Sequence, residues 1–132
     1  MLCDLVRLTV TAGDNIVTSL GAYPTFNYHV AGFGGQIHTV PYRNDGEDLP
    51  ALIAKAAETD AKLIYFANPD NPMGSYVPGT EIAAALDALP QGTLLVLDEA
   101  YGELAPEDAL TGLPMDDPRL IRMRTFSKGY GM

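Results

Sequence analysis

The chain has 132 residues, is 47% apolar and carries a formal net charge of −9. That is enough for one compact domain with a real core and too little for two. An acidic surface repels phosphate backbones and anionic lipid, which excludes nucleic acid and membrane surfaces as expected partners.

Met1 to Thr11 has the pattern of a helix tail, closed by Ala12-Gly13-Asp14. Asn15 to Ser19 reads as a strand. Pro24 opens a helix through about Gly32, since proline suits a first turn, and Gln36 to Pro41 reads as a second strand. The clearest helix follows: Asp48 caps it, Pro50 sits in its first turn, and Leu49, Leu52, Ile53, Ala56 and Ala57 share a face. Lys62 to Ala67 is a short apolar strand, and Thr80 to Leu89 is a helix with Ile82, Ala85, Leu86 and Leu89 on one side. Thr93 to Asp98 is an apolar run that ends in a carboxylate, as expected of a central parallel strand buried on both faces. Leu120 to Phe126 is the last strand, although it carries Arg122 and Arg124, and it leads into Ser127-Lys128-Gly129-Tyr130-Gly131. Short apolar runs alternating with amphipathic stretches predict an α/β fold: a mostly parallel sheet with helices on both faces.

Cys3 is the only cysteine and reads as a small buried hydrophobe; no intramolecular disulfide is possible. No apolar run approaches transmembrane length, and Met1 to Arg7 carries charges where a signal peptide needs an apolar stretch. These features together lead to the expectation of a cytoplasmic protein.

Open parallel sheets bind ligands at the carboxyl ends of their strands. Three polar groups fall at or just beyond such ends: Asn71, Asp98 and Lys128. Asp98 is the most informative, because a carboxylate placed directly after Leu94-Leu95-Val96-Leu97 must be desolvated, paired or both. Taken singly, each has a plain alternative: a helix cap or salt bridge for Asp98, a surface turn for Asn68 to Gly74, a solvated loop for Lys128. His29 and His38 are too isolated for a metal site or a catalytic pair, and no metal is expected. Glu99 is not paired functionally with Asp98, since adjacent strand residues point to opposite faces. Tyr23 and Tyr28 flank Phe26 and receive no role.

The combination says more than the parts. Asn-Pro-Asp-Asn-Pro-Met-Gly at 68–74, Leu-Asp-Glu-Ala-Tyr at 97–101 and Arg-Thr-Phe-Ser-Lys-Gly-Tyr-Gly at 124–131, in that order and at these separations, resemble the class I/II aminotransferases of pyridoxal-phosphate fold type I. The nearest likeness is to the histidinol-phosphate aminotransferase-like branch. Tyr23-Pro24-Thr25-Phe26 is similar to an aromatic turn of the same family, and the likeness covers nearly the whole chain. It implies pyridoxal 5'-phosphate as cofactor and Lys128 as the lysine that holds it as a Schiff base and later moves the substrate proton. It implies Asp98 on the pyridine nitrogen, Tyr101 and Asn71 on the phenolic oxygen, and Phe26 stacked on the ring face. Thr125 and Ser127 match hydroxyl positions near the cofactor phosphate, Ser127 the more clearly.

The partners so implied are a small-molecule amino donor and a 2-oxo acid acceptor, with a homodimeric parent protein. Parts of the family pattern are absent: a glycine-containing phosphate loop upstream, an arginine for the phosphate downstream, and the small C-terminal domain. Residues 1–132 are therefore expected to be the central part of the large cofactor-binding domain, a fragment with little activity alone. Met73 and Gly129 stand where threonine and alanine are common. Two alternatives remain at this level: a decarboxylase on the same fold, and a non-catalytic remnant serving as a binding module.

Overall fold

The computed structural model describes all residues, 1–132. Five parallel strands form one sheet: β1 (Asn15–Ser19), β2 (Gln36–Val40), β3 (Leu63–Ala67), β4 (Leu94–Asp98) and β5 (Leu120–Met123), in the spatial order β2-β1-β3-β4-β5. Four helices connect or precede them: α1 (Leu2–Thr9), α2 (Thr25–Gly32), α3 (Leu49–Thr59) and α4 (Gly79–Ala85). The expected α/β architecture with helices on both faces is what forms.

The two faces carry separate cores. On one, α3 and α4 lay Leu49, Leu52, Ile53, Ala56 and Ile82 against Val17, Ile64, Phe66, Leu95 and Leu97. On the other, Val6 of α1 and Phe26 and Val30 of α2 cover Ile16, Leu63, Tyr65, Val96 and Met123. The central strands need apolar residues at consecutive positions for this reason, and β3 is buried along its whole length. Each fully buried aliphatic or aromatic side chain contributes roughly 1.5–3 kcal/mol by leaving water.

Local chemistry sets the helix ends. The Asp48 carboxylate accepts from the Ala51 N–H at 3.1 Å, and Pro50 occupies the first turn of α3. Ala57 is exposed, against expectation, because eight residues beyond Leu49 it lies about 80° round the helix, at the margin of the buried stripe. The helix expected over Thr80–Leu89 is divided into α4 and a 3-10 turn over Leu86–Ala88.

The last strand is shorter than its apolar pattern suggested. β5 stops at Met123, opposite Asp98, and the chain then leaves the sheet. Arg122 grips Glu99 through Nε to Oε1 at 2.6 Å and Nη2 to Oε2 at 3.2 Å. Arg124 turns to Glu103, with Nη2 2.5 Å from Oε1. These two pairs tie the exit of β5 to the segment after β4, and they redirect Thr125 to Lys128 over the carboxyl ends of the strands.

Candidate active site

At the carboxyl ends of β3, β4 and β5 an open cavity of about 790 Å³ gathers residues distant in sequence. Of the residues the motifs singled out, Asp98, Asn71, Tyr101, Thr125 and Lys128 line it together; Tyr23, Tyr65 and Arg124 line it as well. Strand register explains the convergence. Ala67, Asp98 and Met123 are neighbours across three adjacent strands, so the segments that follow all emerge at one edge.

Asp98 is the best-anchored polar group of the site. Its Oδ2 accepts from the Tyr65 hydroxyl at 2.5 Å, and its Oδ1 accepts from the Ala100 N–H at 3.0 Å. The salt bridges of the chain do not include it. A half-buried carboxylate with neutral donors and no cation is electrostatically incomplete, and its remaining lone pairs are open to a cationic ligand atom. Burial, and then the Asp98 charge, push the Tyr65 phenol well above the usual tyrosine range, so Tyr65 stays a proton donor at any working pH. Glu99 faces away, fully buried against Arg122, as adjacent strand residues must.

Asn71 sits in the turn after β3, which begins with a cis Asn68–Pro69 peptide. The fully buried Asn68 clamps that turn. Its amide donates to the carbonyls of Val77 (2.9 Å) and Ala109 (3.1 Å), and its side-chain oxygen accepts from the Val77 N–H at 2.8 Å. Opposite, the Lys128 Nζ lies 5.5 Å from the Tyr101 ring centroid, within range for a cation–π contact. Lys128 is exposed and has no carboxylate partner.

Two expectations change. Phe26 is fully buried and stacks on Tyr65, with ring centroids 4.4 Å apart and planes at 13°. It does not line the cavity, so the structure places the residue expected on the ring face in the core instead. Phe26 and Val30 are i and i+4 on the inward side of α2, and that spacing is the sequence signal that places Phe26 in the core. Of the aromatic turn, Tyr23, half-exposed and ahead of the Pro24 N-cap, lines the cavity. Of the two hydroxyl candidates, Thr125 lines the cavity and Ser127 does not. Their hydroxyls lie 2.8 Å apart, and the Ser127 N–H donates to Thr125 Oγ1 at 3.1 Å. Ser127 thus orients Thr125 here. Tyr65 was missed because it reads as one more apolar strand residue; only the fold puts its hydroxyl on Asp98.

The family model for aminotransferase class I and II matches residues 3–132. The chain belongs to this family. A curated histidinol-phosphate aminotransferase 2 of Bacillus cereus is 34% identical over 129 residues, covering 96% of the chain and 35% of that protein. The counterpart from Ralstonia nicotianae is 37% identical, covering 96% and 34%. The crystal structure of histidinol-phosphate aminotransferase from Sinorhizobium meliloti, in complex with pyridoxal-5'-phosphate, superposes with a TM-score of 0.93 at 57% identity, covering 99% of this chain and 36% of that one. The chain thus spans about a third of the length of the family members it matches. No helix is long and apolar enough to cross a membrane.

Proposed function

We propose that residues 1–132 are the central part of the large, cofactor-binding domain of a pyridoxal-phosphate aminotransferase that moves an amino group from an amino acid or amino phosphate to a 2-oxo acid. The observation that carries this reading is that Asp98, Asn71, Tyr101 and Lys128 line one cavity. The relatives' names support aminotransfer over decarboxylation, and the assembled polar groups support an enzyme over a non-catalytic remnant. A cytoplasmic homodimer with a small C-terminal domain is the whole protein we infer.

The donor set fits the cofactor. A carboxylate without a cation, a free amine, an amide, a phenol and a threonine hydroxyl converge on a cavity large enough for a pyridine ring and phosphate. When bound, pyridoxal phosphate supplies the electron sink that lets a substrate C–H bond lose its proton.

The protein's residues then have distinct tasks. Asp98 pairs with the ring nitrogen and keeps it protonated, and the Tyr65 hydroxyl fixes the carboxylate's angle. Asn71 and Tyr101 donate to the phenolic oxygen. Tyr23 covers a ring face, in place of Phe26. Thr125, steadied by Ser127, donates to the phosphate. Lys128 would hold the cofactor through Nζ, and the neutral Nζ would take and return the substrate proton.

Borohydride reduction after incubation with pyridoxal phosphate, followed by peptide mapping, tests this assignment. The label is expected on Lys128 and lost in Lys128→Ala. Equal labelling of parent and variant defeats the proposal, because it marks non-specific reaction of surface lysines.

A further inference from the structure

A second group of titratable residues lies beside the site and has no part in the chemistry above. β1 and β3 are paired only at Ile16↔Leu63 and Val17↔Ile64, so they part towards their carboxyl ends. Glu47 fills that gap. Its Oε2 accepts from the Ser19 hydroxyl at 2.6 Å, at the end of β1, and its Oε1 accepts from the Ala67 N–H at 3.0 Å, at the end of β3. Asp70 sits against it, in the turn that carries Asn71. Asp70 Oδ2 accepts from the Tyr42 hydroxyl (3.0 Å) and the Met73 N–H (3.2 Å), while Asp70 Oδ1 is buried with no partner. Both residues are more than nine-tenths buried.

Neither carboxyl has a cation. Arg43 pairs with Asp48 instead, at 3.7 Å. The groups that bond the carboxyls are neutral, Ser19, Tyr42 and the N–H groups of Ala67 and Met73, and a small cavity that Glu47 also lines holds Glu81 of α4 together with Arg43 and Asp48. Two adjacent, buried, cation-free carboxylates cannot both hold their charge.

We propose that Glu47 and Asp70 share one proton, and that the resulting hydrogen bond from the Glu47 carboxylic acid to Asp70 Oδ1 positions the turn that presents Asn71 to the cofactor. The proton satisfies the one orphaned oxygen of the cluster. It also joins three pieces of backbone, the ends of β1 and β3 and the Asp70–Gly74 turn, at the place where the sheet opens. Burial pushes the Glu47 carboxyl up to about 7, and the Asp70 charge adds to the rise against the opposing hydrogen bonds from Ser19 and Ala67. Below that range the turn is locked; above it two charges face each other and the turn loosens. The role of Asn71 in this inference rests on the function proposed above.

The test uses the purified protein and its Glu47→Gln and Asp70→Asn variants. At about pH 6, where ordinary carboxyls are ionised, infrared spectra are expected to show a protonated-carboxyl band that fades on titration to about pH 9, is absent from Glu47→Gln and is lost at lower pH in Asp70→Asn. Amide exchange at Met73 and Gly74 is expected to rise roughly tenfold more than the intrinsic rate over that interval, and to follow the intrinsic rate in Glu47→Gln, whose amide imitates the acid. The dissociation constant for pyridoxal phosphate is expected to rise by a similar factor more in the parent than in Glu47→Gln. A parent without the band, or a band retained by both variants, overturns the shared proton. Identical exchange profiles in parent and Glu47→Gln overturn the positioning role. Loss of pyridoxal phosphate binding at Lys128 in the parent defeats the function proposal instead, and leaves the infrared and exchange results to decide the pair. If Glu47→Gln does not fold, Asp70→Asn, in which an amide faces the Glu47 carboxylate, supplies the comparison.

Discussion

The two rims of the cavity are built differently. Asp98 stands on a central strand, pinned by Tyr65, which is itself stacked on the fully buried Phe26. Lys128 stands on an exposed segment held by local bonds between Thr125 and Ser127 and by the Arg124–Glu103 pair. One rim is therefore held by the core, and the other is exposed and held only by local bonds. The proposed chemistry asks for that division, since a group that fixes the ring nitrogen must stay still and a group that carries a proton must travel.

Substitutions on the two rims separate these roles. In the whole enzyme, Lys128→Ala is expected to lower kcat by about 10⁴-fold, because the proton carrier is removed outright. Asp98→Asn is expected to cost on the order of 10²–10³-fold in kcat, the scale for losing one pre-organised electrostatic contact, with a much smaller change in cofactor affinity. Single-turnover rates and cofactor titration measure both. If Asp98→Asn weakened binding as much as it slowed proton abstraction, the carboxylate would be a binding group only.

The next comparison lies between Phe26 and Tyr23. Phe26→Ala is expected to destabilise the fold by roughly 3–5 kcal/mol in denaturant titration, as a large buried ring leaves a cavity. Tyr23→Ala is expected to cost about 0.5 kcal/mol or less in stability, as an exposed position, yet to weaken cofactor binding. The reverse pattern would return the stacking role to Phe26.

Those two aromatics also mark how far the sequence alone reached. The strands β3 and β4 were legible because burial on both faces demands unbroken apolar runs, and α3 because its cap and spacing are local signals. Asp98, Asn71 and Lys128 were legible from ordered motifs at strand ends. The early end of β5 was not, since it depends on Arg122 and Arg124 meeting Glu99 and Glu103 from another segment. Tyr65 and Glu47 were invisible for a related reason: each is defined by partners brought together only when β1, β3 and β4 align. Phe26 and Tyr23 fall between these cases, because the motif found the aromatic turn and the side of α2 decided which ring was free.

The smallest expected effect on kcat is the sharpest test of the rigid rim. Tyr65→Phe removes only the hydroxyl bonded to Asp98 and keeps the ring stacked on Phe26. The carboxylate retains the Ala100 N–H and admits water to the vacated side. The net loss is expected to be about 1–1.5 kcal/mol, near tenfold in kcat. A double-mutant cycle with Asp98→Asn distinguishes the cause. If Tyr65 acts through the Asp98 carboxylate, its substitution has little further effect once the charge is gone. If the tenfold loss persists in the Asp98→Asn background, Tyr65 acts through packing alone, and the pre-organised rim begins at Asp98 rather than behind it.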